Sequence, residues 1–399
     1  MGAAVQVRAD EMAATPARLP VRRAAIAGLL AMGLFGSIVG PALPGIRATF
    51  GVTLGDTGLL VVAGALGYVV SAFGGGLLAD RRDRRRLLLA GALAMATGMV
   101  AFMAAPSWPL LLLGNLLVGA GSGMVDGPGN ALINQHSGAR RGADLNLAHG
   151  FFGVGCVIGP LLAGGLLAMG LSWRWLGLAG LLSTLALIGL LWRLRLGPAP
   201  TPPVHERVAW GVLREPVVGL LGLVLCLYVG VEVMVGTWAF SHVQLAFGAG
   251  DAVAGLATAL YWGGLTAGRF VMGTIGARFG PHALIVGNGI GAAVALGLTV
   301  AAPALPLAII GLALIGVTLA NIFPAVLAVG GAAYPQAGGT VTGAISAAGG
   351  IGGMIFPWLT GLLAEALGLG AALASGLVLL LALLLAETLV LWLQRRPGR

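Results

Sequence analysis

Twelve apolar runs, each about as long as a bilayer is thick, follow one another along the 399 residues of this chain, and nothing constrains its fold more. They occupy approximately residues 24–47, 57–79, 87–105, 109–135, 144–170, 174–194, 215–246, 252–272, 282–302, 305–333, 340–367 and 370–393. A hydrocarbon core of roughly 30 Å needs about 20 helical residues to cross it. Inside that core every backbone N–H and C=O must be bonded within the protein, which leaves helices or a closed barrel. These runs are apolar on all faces and lack the alternation of a barrel strand. Only 9% of the residues are charged, against about 25% in soluble domains, so a soluble fold has too little polar surface to cover them. The expected class is an all-α integral membrane protein with twelve transmembrane helices.

The net charge of +9 comes from Arg alone, since the chain has no Lys. With the N-terminus inside and the loops alternating sides, 20 of the 22 Arg fall on one side, Arg269 among them, and only Arg47 and Arg174 fall on the other. Such a bias marks the cytoplasmic face and puts both termini there. The basic charge is thus a topological signal, and nucleic acid is excluded as a partner. Cys156 and Cys226 lie inside apolar runs without metal-ligand spacing and read as small buried hydrophobes. The first apolar run has no small-x-small cleavage site and is expected to stay attached. The longest polar interior stretch carries Pro198, Pro200, Pro202 and Pro203 and reads as a linker. The expected organisation is a cytoplasmic tail (1–23), a six-helix bundle (24–194), a cytoplasmic linker (195–214), a second six-helix bundle (215–393) and a short tail (394–399).

Two pairs of stretches match at one offset of 197 residues: Gly76 to Arg81 with Gly273 to Arg278, and Gly153, Gly155, Pro160 and Gly164 with Gly350, Gly352, Pro357 and Gly361. A constant shift in separate places indicates duplication. Parallel repeats related by an axis along the membrane normal are one transporter plan, with the solute held near mid-membrane. Between Gly76 and Arg86 the chain reads G-L-L-A-D-R-R-D-R-R-R. This resembles the signature of the major facilitator superfamily, Gly-x-x-x-Asp-Arg-x-Gly-x-Arg-Arg. The resemblance implies a cytoplasmic latch formed by Gly76, Asp80, Arg81 and Arg85, in which a small residue permits close helix packing and the carboxylate pairs with Arg. Asp83 replaces the usual Gly, and Ala277 replaces the Asp of the second copy, which implies a weaker second latch.

Charged groups within a membrane are costly, by about 2.5 kcal/mol or more at its centre, and each needs a reason. Asp126, Asn130 and Asn134 are spaced by four and form one polar stripe on the fourth helix. Such a stripe is either a helix–helix seam or a cavity wall, and a carboxylate is more than a seam requires. Glu232 sits midway along the seventh helix between Tyr228 and Trp238, His149 and Asn146 lie early in the fifth, and Asn321 lies in the tenth. Aromatic faces with converging amides and carboxylates suit sugars. Glu387, in the twelfth helix, is expected to be peripheral and to reach the cytoplasmic interface.

Several short stretches are similar to the fucose–proton symporter group of that superfamily: Gly121 to Asn130, Leu145 to Phe151, Leu227 to Glu232, and Tyr261 to Phe270. The resemblance implies that Asp126 is the proton-coupling carboxylate and that Glu232 contacts a sugar; from the polar and aromatic groups within the spans, Asn130, Asn134, His149, Tyr228, Trp238 and Asn321 are expected to complete the solute site. The first helix has no acidic residue where fucose-transporting relatives carry one, which leaves proton and sodium coupling both open. Gly155-x3-Gly159-Pro160 is close to the Gly-Pro motif of drug–proton antiporters, so efflux is the alternative to uptake. No arrangement of nucleophile, metal ligands or paired catalytic groups appears, which argues against an enzyme. A non-transporting sensor is a third reading, opposed by the duplicated bundle with its latch. The expected partners are a small-molecule solute, a proton or sodium ion and the lipid bilayer of a bacterial inner membrane. No cofactor is expected, and the chain is expected to act as a monomer.

Overall fold

The computed structural model describes residues 15–79, 83–137, 141–194, 210–275 and 278–395. Among them there is no strand, and the α-helices are α1 (Thr15–Phe50), α2 (Leu54–Ala79), α3 (Arg84–Ala104), α4 (Trp108–His136), α5 (Arg141–Ala168), α6 (Gly177–Arg193), α7 (Pro216–Phe247), α8 (Asp251–Ile275), α9 (Pro281–Val300), α10 (Leu305–Leu319), α11 (Ile322–Ala333), α12 (Gly338–Leu367) and α13 (Leu369–Gln394). The twelve expected spans are all helical. Eleven are long and apolar enough to cross a membrane; α8 falls short because Tyr261, Trp262 and Arg269 interrupt its apolar run. The tenth span is broken into α10 and α11 at Ala320 and Asn321, a discontinuity that the hydropathy of residues 305–333 conceals. Connections turn on glycine where the backbone must be left-handed. Gly248 ends α7 at φ +62°, its N–H bonded to the Gln244 carbonyl at 2.9 Å, and Gln244 Nε2 donates to Asp251 Oδ1 at 2.7 Å to tie α7 to α8.

The duplication is legible in the packing. Gly67 on α2 lies against the backbone of Leu116 and Ala120 on α4, and Gly264 on α8, 197 residues later, lies against Ala313 and Val317 on α10. Gly119 meets Gly64, and Gly316 meets Tyr261, at the same offset. Gly155 on α5 abuts Leu30 and Leu34 of α1, while Gly352 on α12 abuts Cys226 of α7. Glycine costs helix propensity, about 1 kcal/mol relative to Ala. In a bilayer that cost is offset by close backbone approach, since lipid supplies no hydrophobic force to drive helices together.

The chain forms two compact units, one of residues 1–36, 63–159 and 174–205, the other of residues 37–62, 160–173 and 206–399. These do not coincide with the halves of the duplication, because the second unit takes in the end of α1, the start of α2 and the end of α5. Glycines make these segments fit within it. Gly40 backs onto the carbonyl of Thr237, Gly58 onto Trp358, Gly361 onto Leu54, and Gly164 and Gly255 onto each other's helices. Glu365 Oε1 accepts from the Gly55 N–H at 2.6 Å and so occupies one of the free donors that open α2.

Candidate functional site

In the first unit, Asp126 lies on α4 two residues before Pro128. Its Oδ2 accepts from the Tyr68 hydroxyl of α2 at 2.6 Å, and its Oδ1 accepts from Asn130 Nδ2, one helical turn on, at 2.9 Å. Helical geometry puts residues four apart on one face, so α4 alone supplies Asp126 and Asn130, while Tyr68 arrives from 58 residues away. Asp126 and Asn130 also line a small pocket whose other walls include Ala24, Leu29, Leu88, Val125 and Leu191. The Asn134 side chain lies outside the described residues. Tyr68 was missed in the sequence, although one signal was available: a tyrosine amid the apolar α2 has a hydroxyl that requires a partner.

The seventh and eighth helices build a second polar cluster inside the second unit. Tyr228, Glu232 and Gly236 recur every four residues along α7 and form one face. Glu232 Oε1 lies 3.8 Å from Arg269 Nη2 of α8, with the carboxylate side chain 14% and the guanidinium 38% exposed. Arg269 lies within the eighth expected span, on α8, and faces the opposite charge on α7. The Tyr228 hydroxyl is wholly buried beside Glu232 and Arg269 without a well-formed hydrogen bond, and Trp262 Nε1 is likewise buried and unbonded. Trp262 packs its ring on Gly236 and meets Tyr261 edge-on at 5.1 Å between centroids. The Tyr261 hydroxyl donates to the Glu232 carbonyl at 2.7 Å. Asn321, at the break between α10 and α11, donates to the Gly268 carbonyl at 3.0 Å and ties that break to the helix turn carrying Arg269. Phe323 lies 6.5 Å from the Tyr228 ring.

Other expected site residues are placed differently. Trp238 is fully buried and spends its indole N–H on the Pro357 carbonyl at 2.9 Å, so its ring serves packing rather than solute contact. His149 is exposed on α5 and belongs to neither cluster. Of the latch, Gly76 lies on α2, while Asp80 and Arg81 lie outside the described residues. Arg85 donates to the Leu191 and Trp192 carbonyls, each at 2.8 Å, and so caps the C-terminal turn of α6. Elsewhere in the same unit Arg22 lies 3.6 Å from the buried Asp144. Glu387, expected at the interface, is instead fully buried and takes a 2.5 Å contact from His282 Nδ1, because the opening turn of α9 packs against the closing turns of α13.

The Major Facilitator Superfamily profile matches residues 25–250 and 220–399. Among curated relatives, a probable actinorhodin transporter of Streptomyces coelicolor is 28% identical over 240 residues, 58% of this chain and 41% of that protein. A galactose–proton symporter of Escherichia coli K12 is 28% identical over 169 residues, 42% of this chain and 36% of that protein. The chain thus aligns with less than half the length of either relative. Among solved structures, an inward-facing bacterial homologue of the human lysosomal transporter Spinster superposes with a TM-score of 0.77 at 18% identity, covering 96% of this chain and all of the other, a likeness of fold. A family match along nearly the whole chain, on a duplicated twelve-span helical fold, makes this protein a member of the Major Facilitator Superfamily.

Proposed function

We propose that the protein is a secondary active transporter that moves a small hydrophilic solute, of the sugar-like class, together with protons. The observation that carries this reading is the Asp126 carboxylate, held within a membrane-spanning helix by Tyr68 and Asn130 on the wall of a cavity. A carboxylate within a bilayer is a functional site by default. In this scheme Asp126 carries the coupling proton, and Glu232, Arg269, Tyr228 and Asn321 form the solute site. Asn130 holds the carboxylate in place. Access alternates by rocking of the duplicated halves (24–194 and 215–393), with both termini on the cytoplasmic face of a bacterial inner membrane and the monomer as the working unit.

Two relatives bear on the direction of transport. The galactose–proton symporter favours solute uptake, whereas the probable actinorhodin transporter favours the proton-coupled efflux reading. The charged cluster of Glu232 and Arg269 in the second unit favours a polar solute over an apolar drug. Asp126→Asn, reconstituted in proteoliposomes, tests the coupling. The variant mimics the protonated carboxylate and is expected to retain solute binding and exchange while losing accumulation on an imposed pH gradient. Accumulation at the wild-type level would remove Asp126 from the coupling and make Glu232, or sodium, the next candidate.

A further inference from the structure

The pocket beside Asp126 belongs to the first unit alone. Its walls come from α1, α3, α4 and α6, and run from Leu29 and Asp126 to Val21, Leu191 and Leu194 toward one end of α1 and α6. That end is the cytoplasmic one in the topology proposed above. The pocket's volume of about 20 Å³ is room for one water molecule and far too little for a sugar. Gly129 makes the room: it is buried one turn on from Asp126, yet a Cβ there would meet nothing nearer than Leu88 Cδ2 at 4.0 Å. Pro128 brings no N–H to the Met124 carbonyl, so α4 also lacks one backbone bond within a turn of Asp126, and water can make good such a gap in a membrane helix. At the 197-residue offset, Leu265, Phe323, Ala325, Val326 and Leu327 stand for Tyr68, Asp126, Pro128, Gly129 and Asn130. A valine thus takes the place of the glycine and a phenylalanine that of the carboxylate, so the repeated fold is built without them.

We propose that this pocket holds the water through which Asp126 exchanges its proton with the cytoplasm, a path separate from the residues that bind solute. The proposal rests on the transport reading above and supplies the proton's route to the carboxylate. One proton moves: the Asp126 carboxyl gives it to the water, which passes one of its own toward the helix ends, and the carboxylate left behind keeps the hydrogen bonds from Tyr68 and Asn130. No bond between heavy atoms forms or breaks. A sodium ion would have to leave its hydration shell among mostly apolar walls for one carboxylate and one amide, a cost that a proton handed between neighbouring oxygens avoids. The pocket therefore favours the proton over sodium as the coupling ion. The polar cluster on α7 and α8 lies in the other unit, so pocket and solute site can be perturbed one at a time.

The test reads the Asp126 proton directly and needs no solute. The full chain is reconstituted in lipid and titrated under infrared difference spectroscopy, and the carboxyl band of Asp126 is identified by its loss in Asp126→Asn. At a pH where the band is present, water is exchanged for heavy water, and the rate at which the band shifts is the rate at which the carboxyl trades its proton with solvent. Gly129→Val, which gives α4 the side chain that the second copy carries, is expected to slow this exchange ten-fold or more, and Gly129→Ala to slow it several-fold. Gly36→Val, on an exposed position of α1 where an added carbon meets nothing within 4 Å, is expected to exchange as wild type does. Should Gly129→Val prove too unstable to purify, Gly129→Ala decides alone, since its methyl meets no atom closer than 4.0 Å. Wild-type exchange in the Gly129 variants, or equal slowing in Gly36→Val, would overturn the proposal. The transport reading fails separately. A protein with no titrating Asp126 band loses its proton carrier, and the route with it, whereas a band that titrates but exchanges regardless of Gly129 keeps the carrier and removes the pocket as its route.

Discussion

If glycine contacts hold the duplicated helices together, adding one methyl group at equivalent places should cost equivalent stability. Gly67 and Gly264 are the sharpest pair. A Cβ on Gly67 would stand 2.8 Å from Ala120 N and still nearer the Leu116 carbonyl, and a Cβ on Gly264 would stand 3.1 Å from Val317 N and nearer the Ala313 carbonyl. The obstacle in each case is backbone, which yields only if a whole helix shifts. Overpacking of this kind costs about 1–3 kcal/mol, more than the roughly 0.5–1 kcal/mol that Ala gains over Gly within a helix. Gly67→Ala and Gly264→Ala should therefore both destabilise, by about 1–2 kcal/mol after that gain. Gly165→Ala and Gly297→Ala, where the added carbon meets nothing within 4 Å, should be neutral or slightly stabilising. Thermal unfolding of detergent-purified protein can be followed with a thiol-reactive dye, because neither cysteine is in a disulfide, with Cys156 buried and Cys226 half-buried. The comparison is a ranking of four variants under one protocol, which holds even when unfolding is irreversible. Should Gly67→Ala and Gly264→Ala melt no lower than the two controls, close glycine packing is not what holds α2 to α4 and α8 to α10.

Tyr68→Phe removes one of the two hydrogen bonds to Asp126 and should cut gradient-driven solute accumulation several-fold in proteoliposomes while leaving solute exchange intact. His282→Leu strands the fully buried Glu387 carboxyl and should cost about 3 kcal/mol or more by thermal melting, and Glu387→Leu in the same chain should recover most of it, since an apolar pair replaces a buried polar one. For topology, cysteines introduced at Ser107 and Ser137, at opposite ends of α4, should label from opposite sides of the membrane. Labelling from one side would break the span count.

The chain announces its helices, its duplication and the place of its ionisable groups because those follow from one-dimensional patterns. Length and apolarity mark a span whatever it packs against, so eleven of the twelve spans pass on hydropathy and the polar α8 is found by its neighbours. The 197-residue offset of glycines and prolines survives because close approach requires a small residue at each copy. Asp126 and Asn130 stand out as a pair because a helix brings residues four apart to one face. Partners supplied by another helix were not legible. Tyr68 reaches Asp126 across 58 residues, and His282 reaches Glu387 across 105. Arg269 stood inside the eighth span in the sequence, but nothing there marked its partner. Only the packing of α8 against α7 shows that it faces Glu232. The same holds for Trp238, which read as a solute contact until Pro357 took its N–H, and for Asn321, whose apolar surroundings hide the helix break that it ties to Gly268. Periodicity decides which residues share a face of one helix. Which faces meet, and therefore which charges and donors become partners, is decided by the three-dimensional fit of side chains and glycine gaps among helices distant in the chain.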